Sequence, residues 1–366
     1  MPKPVHHDRV LHAARTALRS AGGTVGLGLA AAVEANRLRM DRAWRHEIAS
    51  AGQGDGPIVV GPWISEVGFE VLYWLPMLHR IAERAGWDPE RVTVITRGGA
   101  HCWYRDIAAH DVEIFDLFTP DELRDFNERR VDETGGQKHM GVTSLDSELA
   151  RRAASRLPGG AQLVHPSLMY NALRYFWAWR TPPKSVLAQV DFRSLPDPGR
   201  PDIADRLPDE YVAIKAYHSS CFPETPANRA FVAELVGRLA ARTNVVLLST
   251  GLRVDDHAEV HVAGAEGQVI DAQQWMTPQD NLAVQSQVIK GASCLLSSYG
   301  GFSYLGPFLG VPSICFWSDA NFNATHLELM RQAVDRLHAP RFVALDTADV
   351  ALLERVLDGA LAGAGA

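Results

Sequence analysis

Residues 294–317 read C-L-L-S-S-Y-G-G-F-S-Y-L-G-P-F-L-G-V-P-S-I-C-F-W and predict a strand, a glycine turn, a helix and a second strand. The runs Cys294–Ser298 and Pro312–Trp317 have the length and apolar character of buried strands, and a helix fits at 302–309. Two strands joined through a helix lie parallel in one sheet, with a right-handed crossover. This stretch therefore predicts an α/β protein.

The same alternation continues on both sides of that unit. The second half predicts further strands at Tyr211–Tyr217, Asn244–Thr250 and Val269–Asp271, and the first half predicts strands at Pro57–Gly61, Val92–Thr96, Val112–Phe118 and Gln162–His165. A proline-rich break at 196–208 separates the two series, because proline continues neither a helix nor a central strand. We expect two Rossmann-like domains that face each other across a cleft. Their predicted bounds are 53–205 and 206–366, after an N-terminal helical extension at 1–52.

Length and charge restrict the class of protein. The chain has 366 residues and a net charge of -7, which gives a nucleic-acid partner no general electrostatic support. Residues 1–50 are basic, with eight Lys and Arg against four Asp and Glu. The apolar segment Ala21–Val33 is too short to span a bilayer. We expect a cytoplasmic protein whose residues 1–50 make a peripheral contact with the inner face of the membrane.

The four cysteines fit a cytoplasmic location as well. They are widely scattered, without a C-x-x-C pair, so neither a disulfide framework nor a zinc site is indicated.

The turn after the first predicted strand carries two acids. It reads G-P-W-I-S-E-V-G-F-E over residues 61–70, with Glu66 and Glu70 on either side of Gly68. An acid at a helix start is stabilised by the helix dipole, which is one interpretation. The other is a general base that removes a proton from a hydroxyl.

Two turns of the second half could bind an anion. Gly300 and Gly301 let the backbone approach a ligand closely, and the helix start after them offers N–H groups to phosphate oxygens. Lys215 lies in an apolar strand, where its burial requires a partner such as a diphosphate or an acidic side chain. Arg229 opens the following helix. A capped tight turn and a plain salt bridge are the structural alternatives for these two places.

Together these turns resemble the bacterial lipopolysaccharide heptosyltransferase family of inverting GT-B glycosyltransferases. F-E-V-L-Y-W-L-P at 69–76 is similar to the family's G-D-V-L-H-T-L-P, with Glu70 on the catalytic aspartate. Y-G-G-F-S-Y-L-G-P-F-L-G-V-P at 299–312 is similar to the family's donor loop D-T-G-L-S-H-L-A-A-A-L-G-x-P. Tyr299 and Tyr304 replace the aspartate and the histidine of that loop.

The resemblance implies transfer of a sugar, with inversion, from a nucleotide-sugar donor to a hydroxyl of a glycan or lipid-linked acceptor. Glu70 would be the base, with Glu66 as the second candidate. The donor and its phosphates would be bound by Lys215, Arg229, Tyr299, Gly300, Gly301, Phe302 and Ser303. Cationic side chains and a helix start would stabilise the leaving group, so neither a metal nor a cofactor is expected.

The expected positions of the nucleotide and the acceptor follow from where the predicted strands end. The nucleotide is expected near Thr250, Gly251 and Asp271 in the second half. The acceptor is expected near Trp63, Arg97, His101 and Trp103 in the first half. Two other functions stay open at this point: a nucleotide-sugar 2-epimerase of the same architecture, and a non-catalytic protein that binds a glycan or a nucleotide.

Overall fold

The computed structural model describes residues 24–135, 140–178, 181–252, 258–260 and 268–350. Within them the chain forms two parallel sheets, one from each half, which confirms the predicted α/β class with two sheets. Residues 1–23 of the predicted extension and residues 351–366 of the second half lie outside the described residues.

The N-terminal helix α1 (Thr24–Ser50) packs against the first half. Ile48 near its end is buried in the main core, and Trp44 packs against that core from one turn earlier. On the other side of the helix, Leu38 is exposed together with arginines at 39, 42 and 45. Among the described helices, none combines the length and apolar character that crossing a membrane would require.

The sheet of the first half has four parallel strands in the order β3-β2-β1-β4. These strands are β1 (Ile58–Val60), β2 (Val92–Thr96), β3 (His110–Glu113) and β4 (Gln162–Val164). The helices of this half are α2 (Val67–Phe69), α3 (Leu75–Ala85), α4 (Pro120–Thr134), α5 (Ser144–Ala153), α6 (Ser167–Trp177) and α7 (Pro183–Leu187). A π-helical segment, Glu70–Trp74, joins α2 to α3. β1 and β2 are buried along their whole length because helices cover both faces of the sheet.

The sheet of the second half has six parallel strands in the order β12-β11-β10-β5-β7-β9. Its strands are β5 (Tyr211–Lys215), β7 (Asn244–Leu247), β9 (Val269–Asp271), β10 (Cys294–Ser298), β11 (Ser313–Trp317) and β12 (Phe342–Asp346), and a small antiparallel pair is formed by β6 (Tyr217–His218) and β8 (Ala258–Glu259). The helices are α8 (Pro201–Ala204), α9 (Pro226–Ala240), α10 (Asn281–Gly291), α11 (Leu305–Phe308) and α12 (Ala324–Leu337). The unit β10–α11–β11 matches the pattern of residues 294–317.

The two halves share one hydrophobic core cluster and exchange hydrogen bonds. The backbone N–H of Leu282 in α10 donates to the carbonyl oxygen of Gly98 at 2.8 Å. The indole Nε1 of Trp103 donates to the Ser286 hydroxyl at 2.9 Å. These bonds place the turns that follow β2 against α10, so the carboxyl ends of strands from both sheets meet in one region. In open α/β sheets that region is where ligands bind.

Candidate active site

The turn after β1 and the turn after β10 touch each other through their glycines. A Cβ placed on Gly68 would lie 2.5 Å from the Cα of Gly301, and one placed on Gly301 would lie 2.2 Å from the backbone nitrogen of Gly68. No side chain fits at either position, so glycine lets the two halves meet backbone to backbone. The acidic turn of the first half is thereby fixed against the glycine turn of the second.

These two turns border a cavity of about 400 Å³, a size that suits a small ligand. Both halves line it: Glu66, Gly68 and Arg97 come from the first, and Lys215, Gly300 and Gly301 come from the second. Among the residues that the structure describes, no cluster of three or more His, Cys, Asp or Glu could hold a metal ion. Metal-independent chemistry stays a prediction.

The glycine turn offers backbone donors to this cavity. A Cβ on Gly300 would lie 2.0 Å from the Tyr217 hydroxyl oxygen, so a larger residue there would displace the Tyr217 side chain. Gly301 begins a 3-10 turn, Gly301–Tyr304, which continues into α11. In the described part of the chain, the N–H groups of Gly300 and Gly301 donate to no protein acceptor. Such a pair of N–H groups at a helix start binds anions.

Some side chains around this turn line the cavity, and others hold the turn in place. Tyr299 and Phe302 line the cavity, and the Tyr299 ring packs on Phe322 with centroids 4.6 Å apart. Their contact with a donor stays a prediction. Ser303 is fully buried and does not line the cavity, which corrects its predicted contact with the donor. Its backbone N–H and its hydroxyl donate to the carbonyl oxygen of Gly300 at 3.1 and 2.6 Å and close the turn.

Lys215 is buried at the end of β5 and lines the cavity. Its ammonium donates to the carbonyl oxygen of Leu248 at 2.8 Å and forms an ion pair with Glu259. Burial alone would raise the pKa of Glu259, but Lys215 and two backbone N–H groups hold that pKa below its usual value. Of the two partners expected for Lys215, the acidic side chain is therefore present in the structure.

The two acids of the first turn have different environments. Glu66 precedes α2, is partly exposed and lines the cavity. Glu70 has no exposed surface and lies behind the wall, where its carboxylate accepts from the Tyr104 hydroxyl at 2.6 Å and from the Arg97 Nη1 at 3.1 Å. Burial raises the pKa of Glu70 to about 7, although Arg97 and Tyr104 lower it. Of the two candidate bases, Glu66 therefore lines the cavity, whereas Glu70, the first choice, does not.

The residues predicted to hold the nucleotide are only partly near the cavity. Thr250 lines it, but the N–H groups of Thr250 and Gly251 donate to the Glu259 carboxylate at 2.8 and 3.0 Å. Asp271 is exposed and accepts from the N–H of Gln273 at 2.9 Å, which caps the following 3-10 turn. Gly251 and Asp271 are thus corrected to structural roles at the edge of the second sheet.

Arg97 is the one residue of the predicted acceptor group that lines the cavity among the described residues. Trp63 is fully buried and stacks on Trp74 with centroids 5.9 Å apart, and Trp103 is fully buried as well. His101 does not line the cavity, and its Nδ1 lies 3.8 Å from the Asp111 carboxylate. The two tryptophans are core residues because burial of such large apolar rings is favourable.

Arg229 also lies away from the cavity. It is on the exposed side of α9 and forms an ion pair with Glu224 at 3.1 Å, with half of its side-chain surface exposed. The predicted contact with a donor phosphate is therefore corrected.

Sequence reasoning missed several residues that line the cavity. They are Glu259, Asn281, Gln285 and His326. Asn281 and Gln285 lie one turn apart in helix α10 and are both buried, but that helix carries other polar residues, so its sequence alone does not single these two out. His326 lies at the start of α12, with its Nδ1 2.6 Å from the Tyr73 hydroxyl oxygen. Nothing in the local sequence distinguishes it from an ordinary helix histidine.

No family model matches the chain, and no curated protein matches it. A family 9 glycosyl transferase from Veillonella parvula is similar in structure, with a TM-score of 0.44 and 15% identity over 85% of this chain and 91% of that one. ADP-heptose LPS heptosyltransferase II from E. coli has a TM-score of 0.43 and 11% identity over 79% and 90% of the two chains.

A UDP-GlcNAc 2-epimerase from Methanocaldococcus jannaschii has a TM-score of 0.34 and 10% identity over 79% of this chain and 88% of that one. The similar structures thus include both a heptosyltransferase and a 2-epimerase.

Proposed function

We propose that this protein is an inverting glycosyltransferase that moves a sugar from a nucleotide-sugar donor to a hydroxyl of a glycan or lipid-linked acceptor. The observation that carries the proposal is the backbone contact between Gly68 and Gly301. It puts a carboxylate from one half and a pair of backbone N–H groups from the other on the walls of one cavity. A base and an anion site that face a shared space are what a direct displacement requires.

In the proposed reaction, Glu66 takes the proton of the acceptor hydroxyl. The acceptor oxygen forms a bond to the anomeric carbon while the bond from that carbon to the phosphate oxygen breaks. The electron pair leaves with the nucleoside diphosphate, whose negative charge grows during the step. The N–H groups of Gly300 and Gly301 would stabilise that charge, because donors fixed in place before the reaction need no reorganisation.

Lys215 contributes to the same site in a fixed position. Its ammonium is held by Glu259 and by the carbonyl oxygen of Leu248, and it lies 5.1 Å from the centroid of the Phe302 ring. The Glu259 carboxylate offsets the positive charge of Lys215 that a ligand would experience. We therefore assign Lys215 the role of orienting a phosphate and not that of neutralising most of its charge. A lipid-linked acceptor would suit a peripheral membrane contact through residues 1–50, which stays part of the proposal.

The test is transfer by the purified protein with a panel of nucleotide sugars and a mixed glycan acceptor. With the donor that stabilises the protein most against heat, Glu66→Gln should lower kcat by about 100-fold or more, as loss of a general base does. Donor affinity should stay within a few-fold, because Gln keeps the shape of the side chain. Glu128→Gln, on the exposed side of α4, is the matched control and should leave kcat unchanged.

Three outcomes would count against the proposal. Full activity of Glu66→Gln would remove the base. Conversion of the donor alone into an epimer would favour a 2-epimerase. Binding of nucleotide sugars without turnover of any of them would favour a protein that only binds its ligand.

A further inference from the structure

Arg97 connects the buried acid Glu70 to the cavity. Its Nη1 donates to the Glu70 carboxylate at 3.1 Å, and its Nη2 donates to the carbonyl oxygen of Ser65. The Arg97 side chain is 13% exposed, whereas that of Glu70 is 0% exposed. A guanidinium has five N–H donors in a rigid plane, so these two bonds leave donors for a ligand.

Glu70 is held in turn from its other side. Its second carboxylate oxygen accepts from the Tyr104 hydroxyl at 2.6 Å, and Tyr104 is itself fully buried. Glu70 begins the π-helical segment that follows α2, two residues after the glycine that touches Gly301. The residue that binds Arg97, Glu70, and the residue that contacts the second half, Gly68, therefore lie two positions apart in the same backbone segment.

The charges around the cavity indicate what Arg97 would bind. Among the described wall residues, the Lys and Arg side chains are Lys215 and Arg97. Lys215 is paired with Glu259, whose pKa is held low, so that acid is ionised at neutral pH. Arg97 is paired with Glu70, whose pKa is raised to about 7. Glu70 therefore offsets the positive charge of Arg97 less completely than Glu259 offsets that of Lys215. Arg97 is the stronger remaining attraction for an anion.

We propose that Arg97 is an anion-binding residue that contacts the diphosphate of the donor, and that Glu70 is a positioning residue which aims it through a hydrogen-bond acceptor. The inference rests on the proposed function only for the identity of the anion, since a diphosphate is the leaving group there. The first half thus supplies a guanidinium and the second half supplies N–H groups to one phosphate site. Bidentate contact with phosphate is the geometry that arginine favours.

The experiment measures the affinity for inorganic pyrophosphate by titration calorimetry, without any transfer step. Arg97→Gln should weaken pyrophosphate binding by about 10- to 100-fold, as expected for loss of a hydrogen-bonded charged group. Arg84→Gln removes an equal charge from an exposed position on α3 and should change the affinity less than about twofold, because exposed charges are screened.

Two substitutions at Glu70 separate its hydrogen bonds from its charge. Glu70→Gln and Glu70→Leu both remove the negative charge, but only the Gln variant keeps an acceptor for Arg97. Glu70→Gln should therefore bind pyrophosphate at least as tightly as the unaltered protein, and Glu70→Leu about 10-fold more weakly than Glu70→Gln. In an Arg97→Gln background the difference between Gln and Leu at position 70 should disappear.

The proposal fails if the unaltered protein does not bind pyrophosphate, or if Arg97→Gln binds it normally. It also fails if the Gln and Leu variants bind equally, or if their difference persists without Arg97, as a merely structural effect would. Should Glu70→Leu not fold, the Arg97→Gln comparison still decides. A Glu70→Gln variant that binds pyrophosphate but has lost transfer would instead make Glu70 the base. The calorimetric result does not depend on Glu66, so a failure here is distinct from a failure of the proposed base.

Discussion

A pair of glycines follows a central strand in each half, and among the described residues the chain supplies an anion to the first pair and not to the second. After β2, the N–H groups of Gly98 and Gly99 each donate to the Glu113 carboxylate at 2.9 Å, and that of Phe115 donates at 3.0 Å. After β10, the corresponding N–H groups of Gly300 and Gly301 border the cavity. A glycine pair at the end of a parallel strand therefore predicts an anion site, but it does not tell whose anion fills it.

A third place in the second half resembles the filled turn. The N–H groups of Thr250 and Gly251, after β7, donate to Glu259, and the Thr250 hydroxyl donates to the same carboxylate at 2.9 Å. Two of the three backbone donor sets thus have an acceptor from the chain itself. The one without such an acceptor among the described residues is where we expect the ligand's phosphate.

The largest expected effect concerns the filled turn. Glu113→Ala leaves three N–H groups without an acceptor in a buried place, so the free energy of unfolding should fall by about 3–5 kcal/mol. Urea unfolding followed by circular dichroism measures this loss. Pyrophosphate affinity of the folded variant should be nearly unchanged, because Glu113 serves a different turn.

Glu90→Ala is the control, since its side chain is 76% exposed. If Glu113→Ala unfolds at the same urea concentration as the unaltered protein, the idea that this turn depends on its internal anion is wrong.

The second prediction compares the second glycine of each pair. Gly301→Ala puts a methyl group 2.2 Å from the Gly68 nitrogen, which forces the two halves apart. The transfer rate should drop by about 100-fold, as for a misplacement of reacting groups by about 1 Å. Gly99 has a φ of +74°, and a Cβ placed on it would lie 2.9 Å from the Cβ of Ala283. Gly99→Ala should cost about 1–2 kcal/mol of stability and lower the transfer rate less than Gly301→Ala does, because its nearest contact is a side-chain methyl group and not backbone.

Gly237→Ala, in α9 with no atom within 4 Å of the added methyl group, serves as the control and should stabilise the helix slightly. Equal losses of transfer in Gly301→Ala and Gly99→Ala would show that the two turns do not differ in function.

The sequence predicted the fold better than it predicted the site. Uniform apolar strands such as Asn244–Leu247 and the glycine turn at 300–301 carry their signal locally, so both sheets and the facing turns followed from the sequence. The choice between Glu66 and Glu70 did not, because it depends on Tyr104 and Arg97, which lie 34 and 27 residues away from Glu70. The role of Glu259 depends in the same way on β5 and β7, which bring Lys215 and Thr250 to it.

Partner choice explains the other corrections too. Arg229 has the residue type of a phosphate ligand, but α9 points it at Glu224 on the surface. Trp63 and Trp103 have the rings of a sugar platform, but the packing of the first half places them in the core. Residue type indicates which chemistry is available, and only the tertiary structure decides which of these side chains the cavity contains.

The smallest expected effect is a difference in pH dependence between the two internal carboxylates. Burial raises the pKa of Glu113 to about 7, against the three N–H groups that lower it, from an unfolded value near 4.5. Between those values the native state binds more protons than the unfolded state, so stability falls as pH rises from about 4.5 to about 7. Glu259 has a lowered pKa, so its contribution is present above about 4.5 and is lost as pH falls below that value.

Urea unfolding of the unaltered protein and of Glu113→Gln at pH 5 and pH 7.5 tests this difference. The unaltered protein should lose free energy of unfolding between pH 5 and pH 7.5, and in Glu113→Gln this loss should be smaller by roughly 1–3 kcal/mol. Each unit of pKa shift corresponds to about 1.4 kcal/mol. Glu259→Gln should leave the change between pH 5 and pH 7.5 as it is, because its titration lies below that window. Should both variants alter the dependence equally, the two carboxylates would not differ in how their turns hold them. The turn at Gly98 and Gly99, whose acceptor Glu113 is buried without a cation among the described residues, would then behave like the turn at Thr250 and Gly251, whose acceptor Glu259 is paired with Lys215.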